Sequence, residues 1–171
     1  MNNYCLAAVG FCALLCGGIS TATRAHADDA TVTYKSLSPD LALEAAQAAL
    51  KPCRADGFQV AVALVGRFGA AQVMLRDRFA GVPAPRTAGD KAWTALGFRA
   101  NTSDLAKSIQ NESLDAKLAV LPRVTMLAGA LIIECGGTLL GAMGVSGAPG
   151  GDKDEKCARA GLDAIRDKLD F

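Results

Sequence analysis

Apolar residues recur along this chain at two spacings. From Leu41 to Ala55, in LALEAAQAALKPCRA, Ala42, Ala45, Ala46, Ala49, Leu50 and Cys53 fall three and four apart. That spacing predicts an amphipathic helix capped by Ser38 or Asp40, with Pro52 kinking it or stopping it early. FQVAVALVG and AAQVMLRD then read as two strands joined at Arg67-Phe68-Gly69. The first is apolar on both alternating faces, so both sides of its sheet are expected to be covered. After a loop with Pro83 and Pro85, TAGDKAWTALGFRAN and TSDLAKSIQNE predict two helices that divide near Asn101-Thr102. Thr102 or Ser103 is the expected cap of the second. VTMLAGALIIECGG and TLLGAMGVSG predict another hairpin, turning at Gly136-Gly137. A last helix is predicted over Asp152 to Leu169, with Ala158, Gly161, Leu162, Ile165 and Leu169 on one face and Cys157 at its edge. The polar lead, residues 28–39, holds a short candidate strand at VTYKS.

The start of the chain breaks both patterns. CLAAVGFCALLCGGIS, residues 5–20, is an unbroken apolar run too short for a relaxed membrane span. Ala25-His26-Ala27 places small residues where a signal peptidase reads, and acidic residues follow at once. Residues 1–27 are therefore expected to be a signal peptide cut after Ala27, which makes residues 28–171 one periplasmic or secreted domain with no stable membrane anchor. No Lys or Arg precedes the apolar run, and the alternative is an uncleaved anchor.

That cut changes what the composition allows. The chain has 18 basic and 17 acidic residues, and losing Arg24 makes the two equal in number. A neutral domain carries no electrostatic footprint for nucleic acid or an anionic membrane. The single histidine, His26, leaves as well. Its loss excludes a Ser-His-Asp triad, a Cys-His dyad, an HExxH zinc site and a histidine haem ligand. Three cysteines remain, Cys53, Cys135 and Cys157, in a compartment where a pair is expected to bridge and one to be left over. Cys53 and Cys157 lie on or beside the apolar faces of the first and last helices. A disulfide between them would tie the chain's two ends together; the alternative is two buried thiols.

The stretch GVSGAPGGDKDEKC, Gly144 to Cys157, invites a catalytic reading and fails each version of it. Ser146 is followed at the GxSxG position by Ala148. Gly151 is followed by Asp152-Lys153-Asp154, not by the Lys-Ser/Thr of a phosphate loop, and the glycines at 144, 147 and 150 miss the GxGxxG spacing. Asp152, Asp154 and Glu155 suit the start of a helix and would repel a phosphate. An EF-hand loop would need an oxygen ligand and a glycine where Lys156 and Cys157 stand.

A longer set of marks carries more. These are a Val-Ala-Val hairpin ending in Arg76-Asp77, a K-A-x-T-A-x-x-F-R helix from Lys91 to Arg99, and Thr102 just after it. G-x-x-G-V-S-G and then D-x-x-C-A-x-A-G-L complete the set. Over residues 40 to 169 the chain resembles the GlcG/HbpS-like family of haem-binding proteins. The resemblance implies an α+β fold of the profilin/PAS-like kind: a five-stranded antiparallel sheet flanked by helices, assembled into homo-oligomers. It also implies haem as cofactor and puts Thr102 at a position that looks like the family's iron-coordinating one. Arg76, Lys91 and Arg99 are the residues expected to pair with haem propionates or another carboxylate. Met74, Met126, Met143 and Tyr34 are chemical alternatives for the iron; the methionines also suit plain core filling, Thr102 a helix cap, and the cations a solvated face. The chain departs from the family's pattern at Gly66, at Arg76-Asp77-Arg78 and at Ala128-Gly129-Ala130-Leu131, all in parts that shape the ligand pocket.

The leading expectation is an exported haem- or small-molecule-binding protein serving haem storage, scavenging or sensing. Two others stand beside it: an enzyme or enzyme accessory for a small organic acid, with Arg76, Asp77 and Lys91 lining the pocket, and a purely structural oligomer.

Overall fold

The computed structural model describes residues 31–169. The expected signal peptide lies outside the described residues. Tyr34–Phe171 group into one unit and Met1–Thr33 into another, of which residues 31–33 are described and belong to no helix or strand.

Eight principal elements follow one another: α1 (Pro39–Ala55), β1 (Ala61–Gly66), β2 (Ala71–Arg76), α2 (Ala84–Phe98), α3 (Thr102–Gln110), β3 (Ala130–Cys135), β4 (Thr138–Ser146) and α4 (Gly151–Asp163). Short 3-10 turns occupy Ala116–Val120 and Arg166–Lys168. The described strands form one antiparallel sheet in the order β2-β1-β4-β3.

The sheet has four strands among the described residues, where five were expected. VTYKS is not a strand. The carbonyl of Leu37, just beyond it, accepts from the side chain of Gln72 at 2.9 Å instead of from a neighbouring strand's amide. Ser38 then caps α1 by accepting from the Leu41 amide at 3.3 Å, and Pro39 fits the first helical turn.

Side-chain size decides which layer covers which face. Along β1, Val62 and Leu64 enter the core beneath α1 and α4, whereas Ala61, Ala63 and Val65 face α2. The α2 face is a small-on-small contact: Ala84, Ala88, Ala92 and Ala95 are all buried. A Cβ at Gly144 of β4 would stand 2.2 Å from the Ala88 carbonyl oxygen, so that glycine sets how closely α2 lies on the sheet. On the opposite face, a Cβ at Gly161 would meet the Ala45 carbonyl oxygen at 2.7 Å, which brings α4 against α1. There Cys53 and Cys157 form a disulfide, with Cα atoms 5.8 Å apart. Cys135 is free and buried, and its thiol contacts the Leu169 carbonyl.

Several boundaries differ from expectation for local reasons. β1 begins at Ala61 and not at Phe58, because Asp77 takes over at Val60: its amide donates to the Val60 carbonyl at 2.9 Å, and its carboxylate accepts from the Val60 amide at 3.3 Å. α2 begins at Ala84, before the expected Thr87, since Pro83 and Pro85 suit a first turn that needs no donors. β3 begins only at Ala130, because Gly129 turns the chain at φ +125°. α4 ends at Asp163, where the Ile165 amide closes a tighter bond onto the Leu162 carbonyl and the Ile165 side chain enters the core. α3 is capped at Asn101, and Thr102 is its first helical residue.

The sheet thus has two structurally distinct ends. At one lie both hairpin turns, Arg67-Gly69 and Gly136-Gly137, with the last turn of α2. At the other lie the long loops before α2 and α4. No described helix is long and apolar enough to cross a membrane.

Candidate functional site

A cleft opens at each end of α2. The hairpin-end cleft has a volume of about 530 Å³ and is bordered by Arg67, Phe68, Trp93, Leu96, Arg99 and Leu139, among others. Each wall has a local cause. Arg99 ends α2 in a left-handed conformation at φ 53°, with its amide bonded back to the Ala95 and Leu96 carbonyls, so its side chain leaves the helix axis at the cleft. Arg67 belongs to the β1–β2 turn and donates from Nη1 to the Leu139 carbonyl at 2.8 Å. Gly69, at φ +78°, completes that turn; a Cβ there would stand 3.2 Å from the Trp93 indole nitrogen. Trp93 carries the Arg123 guanidinium 4.9 Å from its ring centre. On the other side, Phe68 meets the Tyr34 ring edge to face at 5.3 Å, and the Arg67 guanidinium lies 4.9 Å from the centre of the Tyr34 ring. The result is a mixed concave surface: Phe68 and Trp93 supply aromatic rings, Leu96 and Leu139 an aliphatic floor, and Arg67, Arg99 and Glu134 charge at its border. The guanidinium groups suit a ligand that carries carboxylates, and Glu134 opposes one placed beside it.

The loop-end cleft, about 450 Å³, is bordered by Lys91, Ser146, the Gly147–Gly151 loop and Asp154. Its chemistry is internally matched. Lys91 Nζ donates to Asp154 Oδ2 at 2.8 Å and to the Val145 carbonyl at 3.1 Å, while Asp154 Oδ1 accepts from the Ala148 amide at 3.0 Å. Both side chains are buried. Burial pushes the Asp154 carboxyl above the ordinary aspartate range, and the neighbouring Lys91 offsets only part of that. A Cβ at Gly129 would stand 2.7 Å from Lys91 Nζ, so only glycine leaves the ammonium its place.

The five residues expected to bind ligand do not converge on one point. Arg99 borders the hairpin-end cleft and Lys91 the loop-end cleft. Arg76 donates to the Ala80 carbonyl at 2.7 Å. Asp77 is buried and pairs with Arg54 at 2.6 Å, bracing the end of β2 against α1. Thr102 is fully buried: its hydroxyl accepts from the Ala130 amide at 2.9 Å and donates to the Ala130 carbonyl at 3.4 Å, which pins α3 to β3. Among the alternative iron ligands, Met143 is fully buried in the core, Met126 is half-buried, and Met74 and Tyr34 are exposed. Ser146 is buried at the end of β4.

Three residues carry roles here that the sequence did not assign: Arg67, read only as part of a turn, Asp154, read only as a helix-start acid, and Trp93. A signal for Asp154 was present, since it precedes Cys157, Ala158 and Gly161 by three, four and seven residues and so shares the buried face of α4. Trp93 and Arg67 are distant in sequence, and only the packing of α2 beside the first hairpin joins them. Among the described residues, no group of three or more His, Cys, Asp or Glu side chains forms a metal site.

With this geometry in place, the comparisons are specific. The sequence profile of a family described as haem degrading protein HbpS-like matches residues 37–163. The solved structure of HbpS is 36% identical and superposes with a TM-score of 0.74, over 79% of this chain and 94% of that one. A double mutant of Streptomyces reticuli HbpS is 34% identical with a TM-score of 0.74, over 94% of this chain and 99% of that one. PduOC, solved as a complex with haem, is 25% identical with a TM-score of 0.72, over 77% of this chain and 96% of that one. No curated protein is similar enough to count as a match.

Proposed function

We infer that this chain, which belongs to the HbpS-like family, binds haem in the hairpin-end cleft. The observation that carries this reading is the joint placement of Arg67, Trp93 and Arg99 around an aliphatic floor. The donor set fits the group. Guanidinium groups pair with propionates in a forked geometry, and aromatic faces suit a flat macrocycle. Haem, when bound, would supply one-electron and oxygen chemistry at its iron. Arg99 would hold a carboxylate and Leu96 and Leu139 would exclude water from one side, while Arg67 is already engaged by the Leu139 carbonyl and would have to share its guanidinium. Thr102 enters this reading as an iron ligand only where its hydroxyl leaves Ala130. The haem complex of PduOC supports haem as the ligand class.

The organic-acid reading is weaker at the loop end. There the charge of Lys91 is matched by Asp154, and Arg76 is engaged by Ala80. Export is part of the proposal: residues 1–27 serve as a signal peptide, and a disulfide such as Cys53–Cys157 suits an oxidising compartment. So is homo-oligomerisation, for which the exposed Phe79 and Val82 in the loop before α2 offer apolar contact surface.

Titration of the purified protein with hemin, followed by visible absorption, tests the reading. A saturable Soret shift at one haem per chain is expected. Absence of saturable binding refutes it.

A further inference from the structure

We propose that the loop-end cleft binds a small aliphatic amino acid in its zwitterionic form. Two features there are left unused by the fold. The first is the start of α4. Gly150 caps it without a side chain, and the amides of Lys153 and Asp154 turn back to the Gly150 carbonyl at 3.1 and 3.2 Å. The amides of Gly151 and Asp152 have no acceptor among the described residues. The second is Ser146. It is only 9% exposed, yet its hydroxyl makes no hydrogen bond among the described residues, which is unusual for a buried polar group. Gly144, two residues earlier in β4, faces α2, since a Cβ there would meet the Ala88 carbonyl oxygen. Strand alternation turns the Ser146 side chain the same way, toward Ala84 and the cleft.

The charges decide the ligand class. Lys91, Asp152 and Asp154 are the charged residues that border the cleft. Lys91 and Asp154 neutralise each other. Asp152 forms no ion pair among the described residues, and its Oδ1 lies over Gly150, closer than a Cβ there would tolerate. A bare carboxylate or phosphate would meet that uncompensated charge. An amine alone would meet the positive end of the α4 dipole. A zwitterion satisfies both. Its carboxylate accepts from the Gly151 and Asp152 amides and from the Ser146 hydroxyl, and its ammonium pairs with the Asp152 carboxylate. Pro83, Ala84 and Leu127 add apolar wall for a short aliphatic side chain, and a volume of about 450 Å³ falls in the range of small-molecule sites. The site lies at the opposite end of α2 from the hairpin-end cleft and is independent of haem.

The test titrates the isotopically labelled protein, as its host processes it, with three probes at neutral pH. These are L-leucine, 4-methylpentanoate, which lacks the ammonium, and 3-methylbutylamine, which lacks the carboxylate. Amide resonances report the site. L-Leucine is expected to shift Gly150, Gly151 and Asp152 saturably, and each half-ligand to bind at least about tenfold more weakly. Ser146→Ala should weaken L-leucine by about tenfold, the loss of one charge-assisted hydrogen bond. Asp152→Asn, at an exposed position, should abolish the preference for L-leucine over 4-methylpentanoate, and it keeps the proposal testable if the buried Ser146 variant folds poorly. No saturable shift with L-leucine, or shifts at Gly69 and Thr138 instead, overturns the site. Equal binding of L-leucine and 4-methylpentanoate by the parent protein, or a preference that survives Asp152→Asn, overturns the zwitterion assignment.

Discussion

Lys91 Nζ lies 2.8 Å from Asp154 Oδ2 inside the domain, joining the middle of α2 to the first turn of α4. The same ammonium reaches the Val145 carbonyl, and the same carboxylate holds the Ala148 amide. One ion pair therefore fixes two helices, the end of β4 and the glycine loop between β4 and α4. Removing one partner leaves the other charged and buried, a situation that costs about 3–5 kcal/mol. Lys91→Met is expected to lower unfolding stability by that order in a urea titration. Lys91→Met combined with Asp154→Leu should recover a large part of it, because the penalty lies in the unpaired charge. Equal loss in the single and double variants would contradict this.

The pair also has a pH signature of definite sign. Burial raises the Asp154 carboxyl above its ordinary value, so between that value and the raised one the native state holds more proton than the unfolded chain. Stability from this group is fully present below the ordinary aspartate range and falls as pH rises through the raised value. Asp154→Asn should remove this downward slope. Urea midpoints measured across the acidic range for both proteins check it, and identical slopes would refute it.

Cys53 and Cys157 close a loop with a sequence separation of 104. In the chain-entropy account a loop of that length contributes about 4–5 kcal/mol. Reduction, or the Cys53→Ser/Cys157→Ser pair, is expected to lower the urea midpoint accordingly. The intact mass of the chain cut after Ala27, measured without reductant, should match one bridge and one free thiol. A mass matching three free thiols would exclude the bridge.

Thr102→Val keeps the shape of the side chain and deletes the hydroxyl that satisfies the Ala130 amide. The expected cost is about 1–3 kcal/mol, and Thr102→Ser should restore most of it. The visible spectrum of the hemin complex should be the same in Thr102→Val and in the parent. A change in iron ligation on removing this hydroxyl would assign Thr102 to the iron instead.

What the sequence made legible follows from period and position. The unbroken apolar run of β1, the three-and-four spacing of α1 and the placement of a cysteine on each of two helix faces are local patterns. Each one corresponds to an element or contact in the fold. The Arg76–Asp77 pair illustrates the limit. Its charge suggested a ligand, but Asp77 is used to replace a ladder hydrogen bond at Val60 and to bind Arg54, contacts that span 17 and 23 residues. Lys91 is a similar case, since its partner lies 63 residues away. The cleft at the other end was legible only in Arg99; Arg67 and Trp93 meet it through the close packing that Gly69 and Gly144 permit. The stretch GVSGAPGGDKDEKC is a structural junction in this fold: Ser146 ends β4, Asp154 anchors α4 and Cys157 fastens α4 to α1.

The most direct test of the central claim is to locate the haem on the folded protein. Amide resonances of the isotopically labelled protein should be recorded before and after addition of ferric hemin, whose paramagnetic iron broadens signals nearby. The expected result is selective broadening at the hairpin end, at Gly69, Gly97 and Thr138, with Gly147 and Gly150 at the loop end left sharp. Broadening at Gly147 and Gly150 instead, or at neither end, would contradict the account.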